Sequence, residues 1–475
     1  MGKLFKAGLK PYMKWVALLV LLLFVQAFCM LFLPNMMSMI IDNGVVTGDI
    51  GYITFTGMLM LLVAVGSSCA SIGVGYIAAK VGVGFCSKTR ERLFKHIDTF
   101  TLAEFDKVGA GSLTTRCTND ILQIQNFMIL MLRLVVLAPI MCIGGVVLSL
   151  QKNQQLAVVV IICMPVILVF LLLVLRSAFP VFRSMQEKLD NVNRIIRENI
   201  TGVRVVRAFT AEGREQQRFE EANADMTQAS IRSQVKISTL MPMMMLIVNI
   251  GTVAVVWVGG TQISLGNMQV GDMMAIIQYL TLIMYALVIT AAVFAMMPRA
   301  SVCADRINEV LEIEPDIVAA QNPAQPETLS GAVEFRDVSL AYGDGQPAIS
   351  HITFTANPGE TTALIGATGS GKSSVISLIP RLRDVTEGSV SVDGVDVRDY
   401  DTDALRKRIG YVPQNSGLFS GTIRTNIAFG DEQMPMERVE RAAKIAQADM
   451  FIQEKEKGYD DPISQGGTNV SGGQR

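Results

Sequence analysis

Thr361-Thr362-Ala363-Leu364-Ile365-Gly366-Ala367-Thr368-Gly369-Ser370-Gly371-Lys372-Ser373-Ser374 decides how the rest of this chain is understood. An apolar run enters a glycine-rich loop, and an apolar-periodic segment at 375–382 follows, so the order predicted is strand, loop, helix. Residues 366–373 fit G-x-x-x-x-G-K-[ST]. The glycines let successive backbone N–H groups turn inward around a phosphate, and the helix start adds a positive dipole. Lys372 then reaches the β- and γ-phosphates, and the Ser373 hydroxyl ligates Mg²⁺. Gly366, Thr368, Gly369, Ser370, Gly371, Lys372, Ser373 and Ser374 are therefore expected to hold a nucleoside triphosphate.

The 475 residues exceed one ordinary domain and predict two or three. A net charge of −1 and a pI near 6.2 give no reason to expect nucleic acid as a partner. Half of the residues are hydrophobic and 17% are charged, unevenly distributed. Long apolar runs fill the first three hundred residues, whereas the remainder reads as a soluble α/β protein, so a membrane part is joined to an aqueous part. The seven cysteines (29, 69, 86, 117, 142, 163 and 303) show no metal spacing and are expected to pack as small apolar residues. With two histidines, His96 and His351, neither a zinc site nor a histidine triad is expected. His351, near the loop module, is expected to be an ordinary solvated or core histidine.

Lys3, Lys6, Lys10 and Lys14, with Leu4, Phe5 and Leu9 between them, form a basic amphipathic segment suited to a membrane face. Residues 15–33 are apolar apart from Gln26, too long for a cleaved leader, and give a retained first span. Further spans are predicted at 53–79, 121–150, 156–175, 237–263 and 273–297. The turns at 42–51 and 264–272 carry no Lys or Arg, and the turn at 151–155 carries only Lys152. The segments between spans two and three and between spans four and five are rich in both. The positive-inside rule then puts both ends of the chain in the cytoplasm.

Those two inner segments are too long for simple loops. Met185, Leu189, Val192, Ile195 and Ile196 recur near helical spacing, and 212–236 lacks Pro and has one early Gly. Helices are expected to run past the bilayer and turn near 104–112 and 202–211. Arg133 falls near the inner boundary of the third span, where it either snorkels to head groups or faces a wet cavity. Of the 27 methionines, 24 precede residue 330, including Met241, Met243, Met244 and Met245. They suit either a cavity for varied apolar ligands or ordinary gap-filling between helices. Pro315, Pro323 and Pro326 mark a linker. Beyond it, strands are predicted at 331–342, 352–355 and 361–365, with a hairpin at 389–397 turning on Asp393-Gly394. Two helices are predicted within 436–455.

In this order the motifs resemble the ATP-binding cassette (ABC) transporters over nearly the whole chain. Tyr342 stands where that family has an aromatic that stacks on adenine. Tyr411-Val412-Pro413-Gln414 resembles its Q-loop, whose glutamine ligates Mg²⁺ and senses the γ-phosphate. Val470-Ser471-Gly472-Gly473-Gln474 resembles the signature sequence, in which Ser471, Gly472, Gly473 and Gln474 would close on ATP held by a partner subunit. Six spans ahead of one cassette resemble the exporter-type half-transporters. The segment Gly202-Val203-Arg204-Val205-Val206-Arg207-Ala208-Phe209 and residues 105–118 resemble their coupling helices.

The resemblance implies an all-α polytopic membrane domain at 1–311, six transmembrane helices with long cytoplasmic extensions, and a linker at 312–330. An α/β P-loop cassette at 331–475 follows, incomplete at its C-terminus. Gln465 replaces a glutamate that such exporters often carry before the signature. The sequence stops at Arg475, one residue past the signature, so the acidic strand, the catalytic glutamate and the switch histidine are not in it. The chain as given is accordingly expected neither to hydrolyse ATP nor to fold its cassette well, with an unpaired apolar edge on its sheet. ATP and Mg²⁺ are the implied cofactors, and the lipid bilayer and a second half-transporter, preferably a different chain, are the implied partners. ATP-driven export of small amphipathic molecules across a bacterial cell membrane is the function implied. Lipid flipping, peptide export, siderophore import and an ATP-binding membrane sensor remain open beside it.

Overall fold

The computed structural model describes residues 8–475 apart from 319, 321, 325, 327–328, 343–344, 415–416 and 432, with backbone alone at 175, 178–179 and 182–183. Lys3, Leu4, Phe5 and Lys6 of the basic N-terminal segment, and residues 327–328 of the linker, lie outside the described residues. Two compact units emerge, Met1–Phe100 with Glu104–Pro315, and Thr101–Ala103 with Asp316–Arg475.

Hydrocarbon offers no water to backbone N–H and C=O groups, so apolar runs that enter it close their own hydrogen bonds as helices. The helices from the N-terminus through the first unit, spans and connecting helices together, are α1 (Met13–Ile40), α2 (Ile50–Ile97), α3 (Leu102–Val108), α4 (Ala110–Thr115) and α5 (Ile121–Lys152). The unit continues with α6 (Gln154–Thr201), α7 (Val203–Ala208), α8 (Glu212–Ser238), α9 (Leu240–Ser264) and α10 (Val270–Leu311). Among the described residues six helical stretches are long and apolar enough to cross a membrane, the number expected from the sequence. The 48 residues of α2 reach about 70 Å, more than twice the hydrocarbon thickness. The expected extensions beyond the bilayer are thus continuous with the spans. The turn between α5 and α6 is shorter than predicted. Lys152 ends α5, and Asn153 alone joins it to α6, its Oδ1 accepting from the N–H of Gln155 (2.9 Å) and Leu156 (3.1 Å).

Two buried seams hold most of the spans. Leu19 and Leu23 of α1, Val74 and Phe85 of α2, Ile124 and Met128 of α5 and Ile307 of α10 form one. Ile167 of α6, Val248 of α9 and Leu280 of α10 form another, in which Met244 is fully enclosed while Met241 and Met245 are exposed. Met244 is therefore gap-filling. At the short-turn end a polar knot joins three spans. Asp42 accepts from the Gly271 N–H at 2.7 Å and from Ser38 at 3.2 Å, and Lys152 pairs with Asp272 at 2.7 Å. At the opposite end α6 and α8 form a hairpin. Val192, Ile195 and Ala222 are buried in its seam, flanked by Lys188–Asp225 (2.7 Å) and Arg218–Glu198 (2.8 Å). The predicted turns are present as α3 and α4, separated by Gly109 at φ +81°, and as α7.

The second unit carries a four-stranded antiparallel sheet in the order β2-β1-β3-β4, from β1 (Val333–Ala341), β2 (Pro347–Ala356), β3 (Glu387–Val392) and β4 (Val395–Asp396). A register shift between Phe335 and Val338 lets β1 bury both, and Phe335 stacks on Phe354 of β2 at 4.6 Å. The Asp393-Gly394 turn forms the predicted hairpin. The Asp393 carboxylate accepts from Ser330 N–H (3.1 Å), Gly331 N–H (2.7 Å) and Ala332 N–H (3.0 Å) and from the Ser330 hydroxyl (2.9 Å). Desolvation pushes that carboxyl up, but these donors together hold it below the ordinary value. Helices α11 (Lys372–Leu378), α12 (Thr402–Arg406), α13 (Ile423–Ile427), α14 (Met436–Ile445) and α15 (Asp449–Gln453) complete the unit with a two-stranded pair, β5 (Gly421–Thr422) and β6 (Pro462–Ile463). The two helices predicted within 436–455 are α14 and α15.

The predicted strand at 361–365 is not formed. A strand exists where a neighbour pairs its N–H and C=O groups, and no strand among the described residues runs alongside this segment. Its apolar side chains are left in the open, Ile365 at 95% exposure, as is Val412 at 91%. The segment is thus unpaired, non-strand backbone rather than an edge of the sheet.

His351, on β2, is solvated as expected, its Nδ1 2.8 Å from Asp337 Oδ1. The hydrogen bond to Asp337 raises the imidazole above its ordinary 6.5. The pair therefore favours the fold below about pH 6.5, and the contribution fades as pH rises through the folded-state value. NMR titration should place His351 above the ordinary value, and Asp337→Asn should return it there. An unshifted His351 would refute the pairing.

Candidate nucleotide site

The loop after 361–365 has the backbone that its glycines predict. Gly369 and Gly371 adopt φ of +84° and +86°, a region closed to most side chains. Gly371 also lies against β2, where a Cβ would overlap Ile349 Cγ2 and stand 3.0 Å from the Ala348 carbonyl oxygen. The loop is thereby fixed to the sheet at its last glycine. Ser370 N–H bonds the Ala367 carbonyl at 3.2 Å, closing the turn. Lys372 opens α11, and its ammonium folds back over the loop to donate to Gly366 O and Ala367 O, both at 2.8 Å, and to Ser370 Oγ at 3.3 Å. A cation held by neutral carbonyls is available to anionic oxygens, which bind it more strongly.

Lys372, Ser373 and Gln414 line one open cavity of about 640 Å³, with Thr362, Leu364 and Tyr411. The donor set fits a nucleotide's phosphates, having an ammonium, a hydroxyl and a turn of backbone N–H groups that a Cβ at Gly371 would break. Tyr342 sits beyond it, half-exposed, its hydroxyl 2.7 Å from Ser374 Oγ. Ser374 is 9% exposed, so it holds Tyr342 from below the loop. The Arg383 guanidinium lies 4.8 Å from the Tyr342 ring centroid. Neither Arg383 nor the Tyr342–Ser374 bond is signalled by residue spacing, because neither belongs to a local motif.

The signature residues lie elsewhere. Gly473 and Gln474 line a separate cavity of about 380 Å³ with Leu418, Phe451 and Val470. Ser471 N–H donates to Gln474 Oε1 at 3.1 Å, Gln474 N–H donates to Ser471 Oγ at 3.3 Å, and Arg475 N–H reaches Ser471 O at 3.0 Å. This reciprocal cap forms a single turn where a helix start was expected. Gln465 is exposed in a short 3₁₀ turn. The phosphate loop and the signature thus line two separate cavities of the second unit.

Gly371→Ala adds a forbidden φ to a steric overlap. It should lower the stability of the cassette by about 1–3 kcal/mol, read as an earlier thermal or urea transition. An unchanged transition would show that the loop is not fixed to β2 here.

Known families match both units. Residues 16–287 match the ABC transporter transmembrane region, and residues 349–475 match the ABC transporter family. An uncharacterized ABC transporter ATP-binding protein of Mycobacterium tuberculosis is 39% identical over 99% of this chain and 82% of its own length. Another uncharacterized ABC transporter ATP-binding protein, from Bacillus subtilis, is 37% identical over 98% of this chain and 81% of its own. A fatty acid ABC transporter ATP-binding/permease protein of Mycobacterium bovis is 30% identical over 79% of this chain and 59% of its own. With six candidate spans ahead of an ATP-binding cassette, the chain belongs to the ABC transporters and is a half-transporter of exporter type.

Proposed function

We propose that this half-transporter, paired with a second and preferably different half-transporter, exports small amphipathic molecules across a bacterial cell membrane. Its N-terminus and its cassette face the cytoplasm. The observation that carries the nucleotide part is Lys372, whose ammonium rests on two loop carbonyls at 2.8 Å beside the exposed Ser373 hydroxyl. Bound ATP supplies the phosphoryl chemistry. Lys372 would hold the phosphates, Ser373 and Gln414 would face Mg²⁺, and Tyr342 would meet the adenine. Ser471, Gly472, Gly473 and Gln474 would complete the partner's site. A nucleotide that binds both half-sites favours the closed dimer because it contacts more groups there than in the open one. The domain limits 1–311, 312–330 and 331–475 belong to this proposal, as does the coupling role of α7 and of residues 105–118.

The substrate class rests on the membrane unit. Met241 and Met245 are exposed on α9, where flexible thioethers suit varied apolar ligands. Arg133 is half-buried within α5 and has no hydrogen-bond or ion-pair partner among the described residues. A lone guanidinium at that depth favours amphiphiles with an anionic head, the class named for the mycobacterial fatty acid relative.

Lys372→Ala removes a charge-assisted contact of about 1.5–3 kcal/mol, so nucleotide affinity should fall about 10- to 150-fold in a fluorescent-ATP titration. Unchanged affinity would exclude this loop as the site. For transport, inverted vesicles holding both halves should accumulate fluorescent amphiphiles only with ATP. Arg133→Gln should slow anionic amphiphiles more than cationic ones. Failure with cationic, neutral and anionic amphiphiles alike would overturn the export assignment.

A further inference from the structure

Where α1 and α2 meet at the N-terminal end of the membrane unit, aromatic rings and unpaired cations converge. Lys80 Nζ stands 3.8 Å from the centroid of the Trp15 ring and 5.9 Å from that of Tyr76, and Lys88 Nζ stands 5.5 Å from that of Tyr12. Tyr76, Lys80, Gly84 and Lys88 recur at four-residue spacing and share one face of α2. Gly84 is the gap in that stripe that admits Tyr12, since a Cβ there would stand 2.6 Å from the Tyr12 hydroxyl. The hydroxyl therefore lies between the two lysines, whose Cα atoms are each about 6 Å along the axis from Gly84.

Among the described residues these groups have ring contacts but neither hydrogen-bond nor ion-pair partners. Both lysines are exposed, and among the described residues neither has a carboxylate partner, nor has the Tyr12 hydroxyl or the Trp15 indole N–H a hydrogen-bond partner. Glu91, the acid of this stretch of α2, is paired with Lys95 at 2.7 Å and reaches Lys88 only through longer-range attraction. Lys10 and Lys14 add two further exposed cations on the approach to α1. The depth is that of head groups, because Lys14 precedes the apolar run of α1 and Lys80 follows that of α2. Two ammoniums, a phenol and an indole N–H present donors almost exclusively, and the complementary group at this depth is a phosphodiester without a compensating cation.

We propose that Lys80, Lys88, Tyr12 and Trp15 form a head-group site for one anionic phospholipid on the first two spans. The rings keep the ammoniums at the interface by cation–π attraction, so the site is set before lipid arrives. A zwitterionic head group would bring its own cation against two lysines and bind less well. The site rests on membrane insertion alone, so its test is independent of transport.

The chain has two tryptophans, Trp15 and Trp257, and Trp257→Phe leaves Trp15 as the sole reporter. The protein is placed in phosphatidylcholine bilayers containing a minor fraction of brominated phosphatidylglycerol or of brominated phosphatidylcholine. Trp15 should be quenched preferentially by the anionic lipid, by about fivefold in apparent affinity for each lysine. Lys80→Gln with Lys88→Gln should abolish the preference, and Lys80→Arg with Lys88→Arg should retain it. Gly84→Ala, which displaces Tyr12 while leaving every charge, should weaken it. Equal quenching by both lipids would overturn the proposal. So would displacement of the anionic lipid by inorganic phosphate, which would make this a site for free phosphate. Loss of the preference in Lys10→Gln with Lys14→Gln but not in the Lys80/Lys88 pair would reduce it to diffuse charge attraction.

Discussion

Replacing water by hydrocarbon around the backbone is the constraint from which the membrane unit follows. Helices must be long and unbroken to satisfy their own N–H and C=O groups, and side chains must do without a hydrophobic drive between helices. Association then falls to close packing, as at the enclosed Met244 and the Leu19–Phe85–Met128 seam. Among the described residues, polar contacts between helices are few within the spans, Thr290 to the Leu134 carbonyl being one, and gather at the short-turn end. Asp42 reaches the Gly271 N–H there, and Lys152 reaches Asp272, because a charge at those positions has both water and a partner within reach.

The cassette obeys the opposite rule. In water, order requires a paired neighbour and a covered face, and the unit is well made where it has both. Phe335 and Phe354 stack within a four-stranded sheet, and Gly371 locks the phosphate loop onto β2. The segment entering the loop has neither, and Ile365 is left almost wholly exposed. The loop's geometry therefore derives from β2 behind it rather than from the segment that leads into it. The back-folded Lys372 fits that arrangement, since its ammonium can wait on backbone carbonyls without help from the unpaired segment.

Periodicity and motif spacing carry far in this chain because both report local physics. Six spans, the continuation of α2 and α6 beyond the bilayer, the Asp393-Gly394 hairpin and the glycine loop were all legible from residues close together in sequence. What was not legible depends on residues far apart. Whether 361–365 becomes a strand depends on a neighbour, and composition alone cannot reveal one. Tyr342 meets Ser374 across 32 positions, and Arg383 meets Tyr342 across a longer gap still. The single-residue turn at Asn153 escaped for another reason. Lys152 reads as a loop residue by charge, yet it stays helical because Asp272 and Ser38 neutralise and solvate its ammonium.

That pairing bears on orientation. Lys152 is the one basic residue in the three short turns, and it is tied to an acid with little exposure on either side. At the other end Lys80, Lys88, Lys10 and Lys14 form no ion pair among the described residues, and Glu91 draws on Lys88 only at longer range. A basic side chain is kept from crossing a bilayer by its uncompensated charge, so Lys152 weighs less in the positive-inside balance than its presence suggests. The unpaired lysines weigh fully. Charge pairing thus widens the asymmetry that composition already shows, and supports the proposed placement of the N-terminus and the cassette on the cytoplasmic side. In the proposed orientation, the cations that would retain the chain on that side include those proposed to receive an anionic head group.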